Sequence, residues 1–494
     1  MFLANVKRAG GVCAAVLVIA SVAVYSAHAA DNAAAQAPAV AAAPGTAGAA
    51  QAARVDDFLS TFGINGHVFN YDYAWVYNDA PGIVADAQYI GARLWRDGTD
   101  AANSPIQRDA LTALANAGIK FALVPPNTGT KTPQKLVIAD LIAKAHAIQA
   151  LHTPGPVIAI EGANEPVNFP ISYNGVVGGG DQPFDAVAAF QKDWYAALKA
   201  DPIMGALPVW SATQVGAQTP NVGLQYIKVP EGGGGSTAKG GTVFADVYNV
   251  HSYPFYQNAV GWYDPGPNVH LKYPDQVDWS INTDYVNSYA HGYTGKTLAE
   301  INASPRVVTE FGLSTSQGGM DTATMGKNIL TGYLDFYIKG YQAAFVYELY
   351  DQGDGWGIFT TTGKPRPAAT YLHNFVTALA DTGATAKTFQ PGQLGYVLTG
   401  MPANARSKLF QRSDGTFLLV LWNHTTNFVY GTDKGAGPVT ISPVTVGLTL
   451  TDGAATITVL DPTIGAAPVS TASGATSASI ALSDHPEVVV ITRP

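Results

Sequence analysis

Cysteine is almost absent: the one residue of its kind, Cys13, lies inside an apolar run near the start of the chain. With a single thiol there is no disulfide framework and no cysteine-based metal site. Charge is also scarce. Asp, Glu, Lys and Arg together make up 13% of the 494 residues and the formal net charge is -9, which argues against nucleic acid or anionic lipid as partners. The apolar stretch at residues 11–25 is shorter than the roughly 20 residues a membrane-spanning helix needs. Several chemistries lack their motifs. No G-x-G-x-x-G loop follows the early strand-like runs, and EGGGGSTAKGG (231–241) lacks the Gly-Lys-Ser/Thr of a phosphate loop. Neither H-E-x-x-H nor G-x-S-x-G occurs, and the ten histidines are scattered without metal-ligand spacing.

What the sequence does hold is apolar and aromatic. Hydrophobic residues are 47% of the chain, with 52 Gly, 24 Tyr and 8 Trp, enough for one large domain and a smaller one, with a surface suited to neutral polar ligands. Residues 1–30 read as a secretion signal, with Lys7 and Arg8 ahead of the apolar run and Ala27-His28-Ala29 after it. This implies a secreted or periplasmic protein without a membrane anchor. Lys7 and Arg8 leave with the signal, taking the charge from -9 to -11. Residues 31–54, rich in Ala and Pro, read as a flexible linker.

From residue 55 to about 385, eight short apolar runs alternate with helix-like segments: 61–69, 89–98, 118–126, 156–165, 208–214, 244–254, 306–312 and 343–351. Strands that are apolar throughout and separated by helices predict a parallel sheet covered on both faces. Eight such units match an α/β fold of the (β/α)8 TIM-barrel type in number and size, with an open doubly wound sheet as the alternative. After residue 386 the pattern becomes short strand-like runs between Gly, Asp, Pro and Ser turns, predicting a C-terminal antiparallel β-sandwich over 386–494.

Two of the barrel runs end in carboxylates. The fourth closes as IEGANEP with Glu161 and Glu165, and the seventh, RVVTEFG, ends on Glu310. Side chains at the carboxyl ends of barrel strands converge on one mouth. Glu165 and Glu310 are therefore expected to face each other there, a pairing able to break a glycosidic bond. Glu161 is expected inside the strand, paired with a buried cation or a group of the barrel wall. Glu348 on the eighth run is a further carboxylate, read as support or a ligand contact, and Trp210, Trp356, Trp95, Trp262 and Tyr263 are candidates for the lining of the cleft, since tryptophan and tyrosine stack on the apolar faces of sugar rings.

NEP on the fourth strand, with TEFG on the seventh, resembles the clan A glycoside hydrolases, the 4/7 superfamily that includes families 5, 30, 39 and 79. The resemblance spans the barrel, matches no single family's full signature, and GANEP has a small residue where many relatives carry a bulkier one before Asn. It implies a retaining hydrolase of β-glycosidic bonds in a polysaccharide or oligosaccharide, needing neither cofactor nor metal. Residue by residue it implies Glu165 as acid/base, Glu310 as nucleophile and Asn164 on the sugar 2-hydroxyl. Tyr253 would orient Glu310, His251 would lie near Glu165, Arg93 would support the nucleophile, and Trp356 would be a subsite aromatic. A cation and a phenol would keep Glu310 ionised, while Glu165 must hold a proton near neutral pH. A transglycosylase with the same intermediate and a non-catalytic carbohydrate-binding barrel are the alternatives.

Overall fold

The computed structural model describes residues 48–70, 75–253, 296–316, 320–425, 427–429 and 437–494. The expected signal, Trp262 and Tyr263 lie outside these residues. Among them no helix is long and apolar enough to cross a membrane.

Seven of the eight expected runs become strands of one parallel sheet. They are β1 (Phe62–Asn65), β2 (Leu94–Gly98), β3 (Lys120–Val124), β4 (Val157–Ile160), β5 (Tyr248–His251), β6 (Arg306–Phe311) and β7 (Ala344–Val346). The hydrogen-bonded order is β5-β6-β7-β1-β2-β3-β4. The last and first barrel runs are therefore neighbours, and the sheet curls. The fifth run, 208–214, differs from expectation because it forms no strand. Val209 and Trp210 make single parallel bridges to Ile160 and Val247, so the ladder passes between β4 and β5 only as isolated contacts. Pro208 has no N–H to contribute, which shortens what could pair there.

The helices form where local signals and apolar spacing agree. In α2 (Pro105–Asn116), which follows α1 (Ala80–Tyr89), Ser104 and Gln107 complete a reciprocal capping box with Pro at the first helical position. Beyond α3 (Ile138–Gln149), α4 (Asp185–Ala200) buries Val187, Phe190, Trp194 and Leu198 at helical spacing. By contrast, α5 (Thr322–Ile338) is buried almost all round. One side packs on the parallel sheet and the other meets the β domain, with α6 (Pro367–Leu379) alongside.

The β domain has two large sheets, besides a two-stranded pairing of Phe428–Val429 with Gly437–Pro438. The six-stranded one runs Ala53–Arg54, Ala405–Gln411, Phe417–Asn423, Glu487–Thr492, Ala455–Leu460 and Ser470–Ala475. The four-stranded one runs Gly48–Gln51, Gln393–Thr399, Val444–Leu450 and Ser477–Leu482. Residues 48–54 thus correct the linker reading: Gly48–Gln51 pairs antiparallel with Gln393–Tyr396, and Ala53–Arg54 parallel with Phe410–Gln411. Their small side chains hid strands whose partners lie far along the chain.

Strand Phe417–Asn423 explains how the domains join. Phe417, Leu419 and Leu421 belong to the core between the two sheets, while Leu418, Val420 and Trp422 belong to the core shared with the barrel helices. A strand apolar at every position is buried on both faces. At this seam Phe58, with none of its surface exposed, stacks on Phe410 at 5.1 Å and meets Phe62 and Tyr337 edge-on at 5.0 Å. We predict that Phe58→Ala lowers the unfolding free energy by about 3–5 kcal/mol, read by urea titration. A loss under about 1 kcal/mol would mean that this aromatic cluster is not what joins the domains.

Candidate active site

The carboxyl ends of β1, β2, β4, β5 and β6 bring their polar side chains to one centre, organised by Arg96. Side chains alternate across a strand. Leu94 and Arg96 therefore face the inside of the curled sheet, whereas Trp95 faces the helices. Arg96 is 5% exposed and spends all five guanidinium N–H donors on named acceptors. Its Nε and Nη2 reach Glu161 at 2.8 and 3.1 Å, and Nη2 also reaches Asn164 Oδ1 at 2.7 Å. Its Nη1 reaches Glu310 Oε1 at 2.7 Å and Asn65 Oδ1 at 3.0 Å. Burial alone would lower the Arg96 pKa, but Glu161 and Glu310 raise it, so the cation is held firmly charged.

This corrects the expectation for Arg93. It stands one residue before β2, on the helix side, where Nη1 pairs with Asp56 Oδ1 at 2.5 Å. Arg93 and Arg96 are three positions apart, an odd spacing that puts them on opposite faces. Glu161 stands one residue past β4 rather than inside it, buried and paired with Arg96. It also accepts from Asn249 Nδ2 at 3.0 Å.

Glu165 and Glu310 come together. One oxygen of each lies within 4.8 Å of the other and of a ring nitrogen of His251. His251 Nδ1 is 2.5 Å from Glu165 Oε1 and 3.2 Å from Glu310 Oε2. The Tyr253 hydroxyl donates to Glu310 Oε2 at 2.7 Å, and burial together with the Glu310 charge pushes that phenol well above its ordinary pKa. Asn168, not foreseen from sequence, donates to Glu165 Oε2 at 2.9 Å. Glu165 itself has φ 41°, a left-handed conformation costly for a non-glycine residue and common at functional sites. Gly162 precedes it for a steric reason: a Cβ there would stand 2.5 Å from the Ala212 nitrogen.

The proton balance of Glu165 departs from the sequence expectation. Burial pushes its carboxyl up, but the adjacent His251, the Asn168 bond and Arg96 outweigh that and hold it below the usual range. Glu165, His251 and Glu310 could together offer three ligand atoms to a metal. Arg96 and Tyr253 already fill the Glu310 oxygens, however, and a guanidinium 2.7 Å away repels a second cation.

An aromatic wall runs away from Glu310. The rings of Tyr253 and Trp356 are 5.2 Å apart, Trp356 and Tyr347 6.0 Å, and Tyr347 and His67 5.5 Å. At its end Glu348 Oε2 meets His67 Nδ1 and Gln352 Nε2, each at 2.7 Å, while the buried Glu348 Oε1 has no hydrogen-bond partner among the described residues. Burial raises the Glu348 pKa and His67 partly offsets it. His67 and Gln352 went unread because they sit in loops beyond β1 and β7, with no motif around them.

Two tryptophans are corrected. Trp210 is 2% exposed, inside the curled sheet against Phe345 at 6.1 Å. Trp95 is fully buried and donates to Asp97 at 2.9 Å. Neither lines a cleft.

If Arg96 is the hub, Arg96→Met leaves Glu161 and Glu310 buried without their cation and costs about 3–5 kcal/mol. Arg93→Met, at a pair whose arginine is 34% exposed, should cost no more than about 1 kcal/mol. Thermal melts of both variants decide it, and equal losses would remove Arg96 from the centre of the argument.

No protein-family model matches the chain, and no curated protein matches it in sequence. Its fold is similar to a solved monomeric β-xylosidase from Caulobacter crescentus CB15. That match has 13% identity, covers 90% of this chain and 98% of that one, and has a TM-score of 0.55. Weaker likenesses are to an endo-β1,6-glucanase (12% identity, 91% and 94% covered, TM-score 0.45) and to α-galactosidase I from Mortierella vinacea (10%, 88% and 99%, 0.38).

Proposed function

We propose that this chain is a secreted glycoside hydrolase that cleaves β-linked polysaccharide or oligosaccharide with retention of configuration. The observation that carries the reading is the Glu165–Glu310 pair, with one oxygen of each within 4.8 Å. Retaining enzymes hold their carboxyl groups about 5–5.5 Å apart, and inverting ones leave a gap for water. The seven strands, with Pro208–Ser211 between β4 and β5, are read as a (β/α)8 barrel whose mouth holds this pair. The β linkage rests on the NEP and TEFG motifs, and a β-xylosidase shares the fold.

In the first step a Glu310 oxygen bonds to the anomeric carbon as the bond to the leaving oxygen breaks. Glu165 gives that oxygen its proton. In the second step Glu165 takes a proton from water, whose oxygen displaces Glu310 from the anomeric carbon. Arg96 and Tyr253 hold Glu310 in place and aim it. Asn164, anchored through Oδ1 by Arg96, would offer its Nδ2 to the 2-hydroxyl. Glu165 and His251, 2.5 Å apart, hold the transferable proton as a coupled pair.

The test is a panel of plant and bacterial polysaccharides offered to wild type, Glu165→Ala and Glu310→Ala, scored by reducing ends, product mass and the anomeric proton signal. Glu165→Ala should lose about 10²–10⁴-fold and Glu310→Ala should fall to background, with the β-anomer formed first by wild type. Full activity in either variant, or first appearance of the α-anomer, overturns the assignment. The pH profile gives a second check. His251 lowers the Glu165 pKa and burial raises it, so His251→Asn should leave burial dominant and move the alkaline limb of kcat/KM to higher pH. An unmoved or lowered limb would contradict the coupling.

A further inference from the structure

We propose that Asp461, His485 and Glu487 form a second site, away from the carboxylate pair, that binds one divalent transition-metal ion, with zinc the best match to its donors. His485 Nε2 lies 3.1 Å from Asp461 Oδ2 and 3.5 Å from Glu487 Oε1, and the three ligand atoms fall within 4.8 Å of one another. Ligands about 2.1 Å from a tetrahedral ion stand roughly 3.4 Å from each other. The two spacings straddle that value. One imidazole nitrogen with two carboxylate oxygens is a donor set for zinc and its neighbours in the first transition row.

Two further observations point to a ligand. The first is the orientation of the ring. Asp484 Oδ1 sits 3.0 Å from His485 Nδ1, the outer carboxylate that turns a metal-binding histidine and fixes its tautomer, leaving Nε2 to face Asp461 and Glu487. The second is charge. The four groups are each less than a tenth exposed. Lys327 is bound to Asp484 at 3.0 Å. Among the described residues, Asp461 and Glu487 have His485 as their shared ion-pair partner. Two buried carboxylates against one imidazole leave negative charge that a divalent ion offsets.

The place suits a structural ion. Asp461 follows strand Ala455–Leu460, and His485 and Glu487 open the neighbouring strand, paired at Leu460 and Val488. Lys327 on α5 holds Asp484, and Asn374 on α6 donates to the Pro462 carbonyl at 2.8 Å. A bound ion would therefore tie the strand ends where the β domain meets the barrel helices.

The full chain, stripped with a chelator, is titrated with zinc by calorimetry, and its melting temperature is read with and without the ion. One equivalent should bind and raise the melting temperature in wild type and in Glu165→Gln. Asp461→Asn and Glu487→Gln should each abolish that equivalent, and Asp484→Asn should weaken it about 10–100-fold. Melts without metal establish that the variants fold. No binding by wild type overturns the proposal. So does an equivalent that survives Asp461→Asn and Glu487→Gln, or one lost in Glu165→Gln.

Discussion

A single buried cation holds the carboxyl ends of the curled sheet together. Two carboxylates, Glu161 and Glu310, and two amides, Asn65 and Asn164, come from three strands or their carboxyl ends and are tied to one guanidinium on a fourth. Only arginine has a fork with enough donors to do this at once. Each acceptor also fixes something else. Asn65 donates to the Thr309 and Val346 carbonyls, locking β1 to β6 and β7, and Glu161 accepts from Asn249 on β5. Arg96 therefore stitches the sheet in the same act that aims Glu310.

The order of the sheet was legible because its strands are apolar on both faces and their spacing is regular. The carboxylate pair was legible because each member closes such a run. The arginine was misread because RLWRDG offers two, and motif position favoured Arg93 while alternation within the strand favours Arg96. Parity against Leu94, which has to point inward, would have decided it. The tryptophans at 95 and 210 were overread for a related reason: an aromatic near a strand end faces either the core or the cleft, and only its register tells which. His67 and Gln352 belong to loops whose course no local pattern specifies. The cluster at Asp461, His485 and Glu487 joins residues more than twenty apart, with Asp484 behind the ring, a spacing that matches no metal motif.

The seam between the domains mixes apolar and polar contacts with a clear division. Phe58, Phe410 and the outward side chains of Phe417–Asn423 exclude water. Within that dry region Asp335 receives the Trp422 indole at 2.9 Å and sits 2.9 Å from His424 Nε2, and Asn328 and Asn427 exchange amide bonds at 3.2 Å. Buried polar groups satisfied in this way set register where apolar contact alone would permit sliding.

The small strands Gly48–Gln51 and Ala53–Arg54 carry a consequence for how the chain comes off the ribosome. Their partners begin at Gln393 and Phe410, more than 340 residues later. At ~5–20 residues per second, the earliest segment to emerge waits roughly 15–70 s for its ladder. Throughout that interval the two strands have no partner to pair with. The last module to be synthesised is thus also the one that captures the first, and a cut near residue 385, between α6 and the β domain, would leave two of that domain's strands on the wrong fragment.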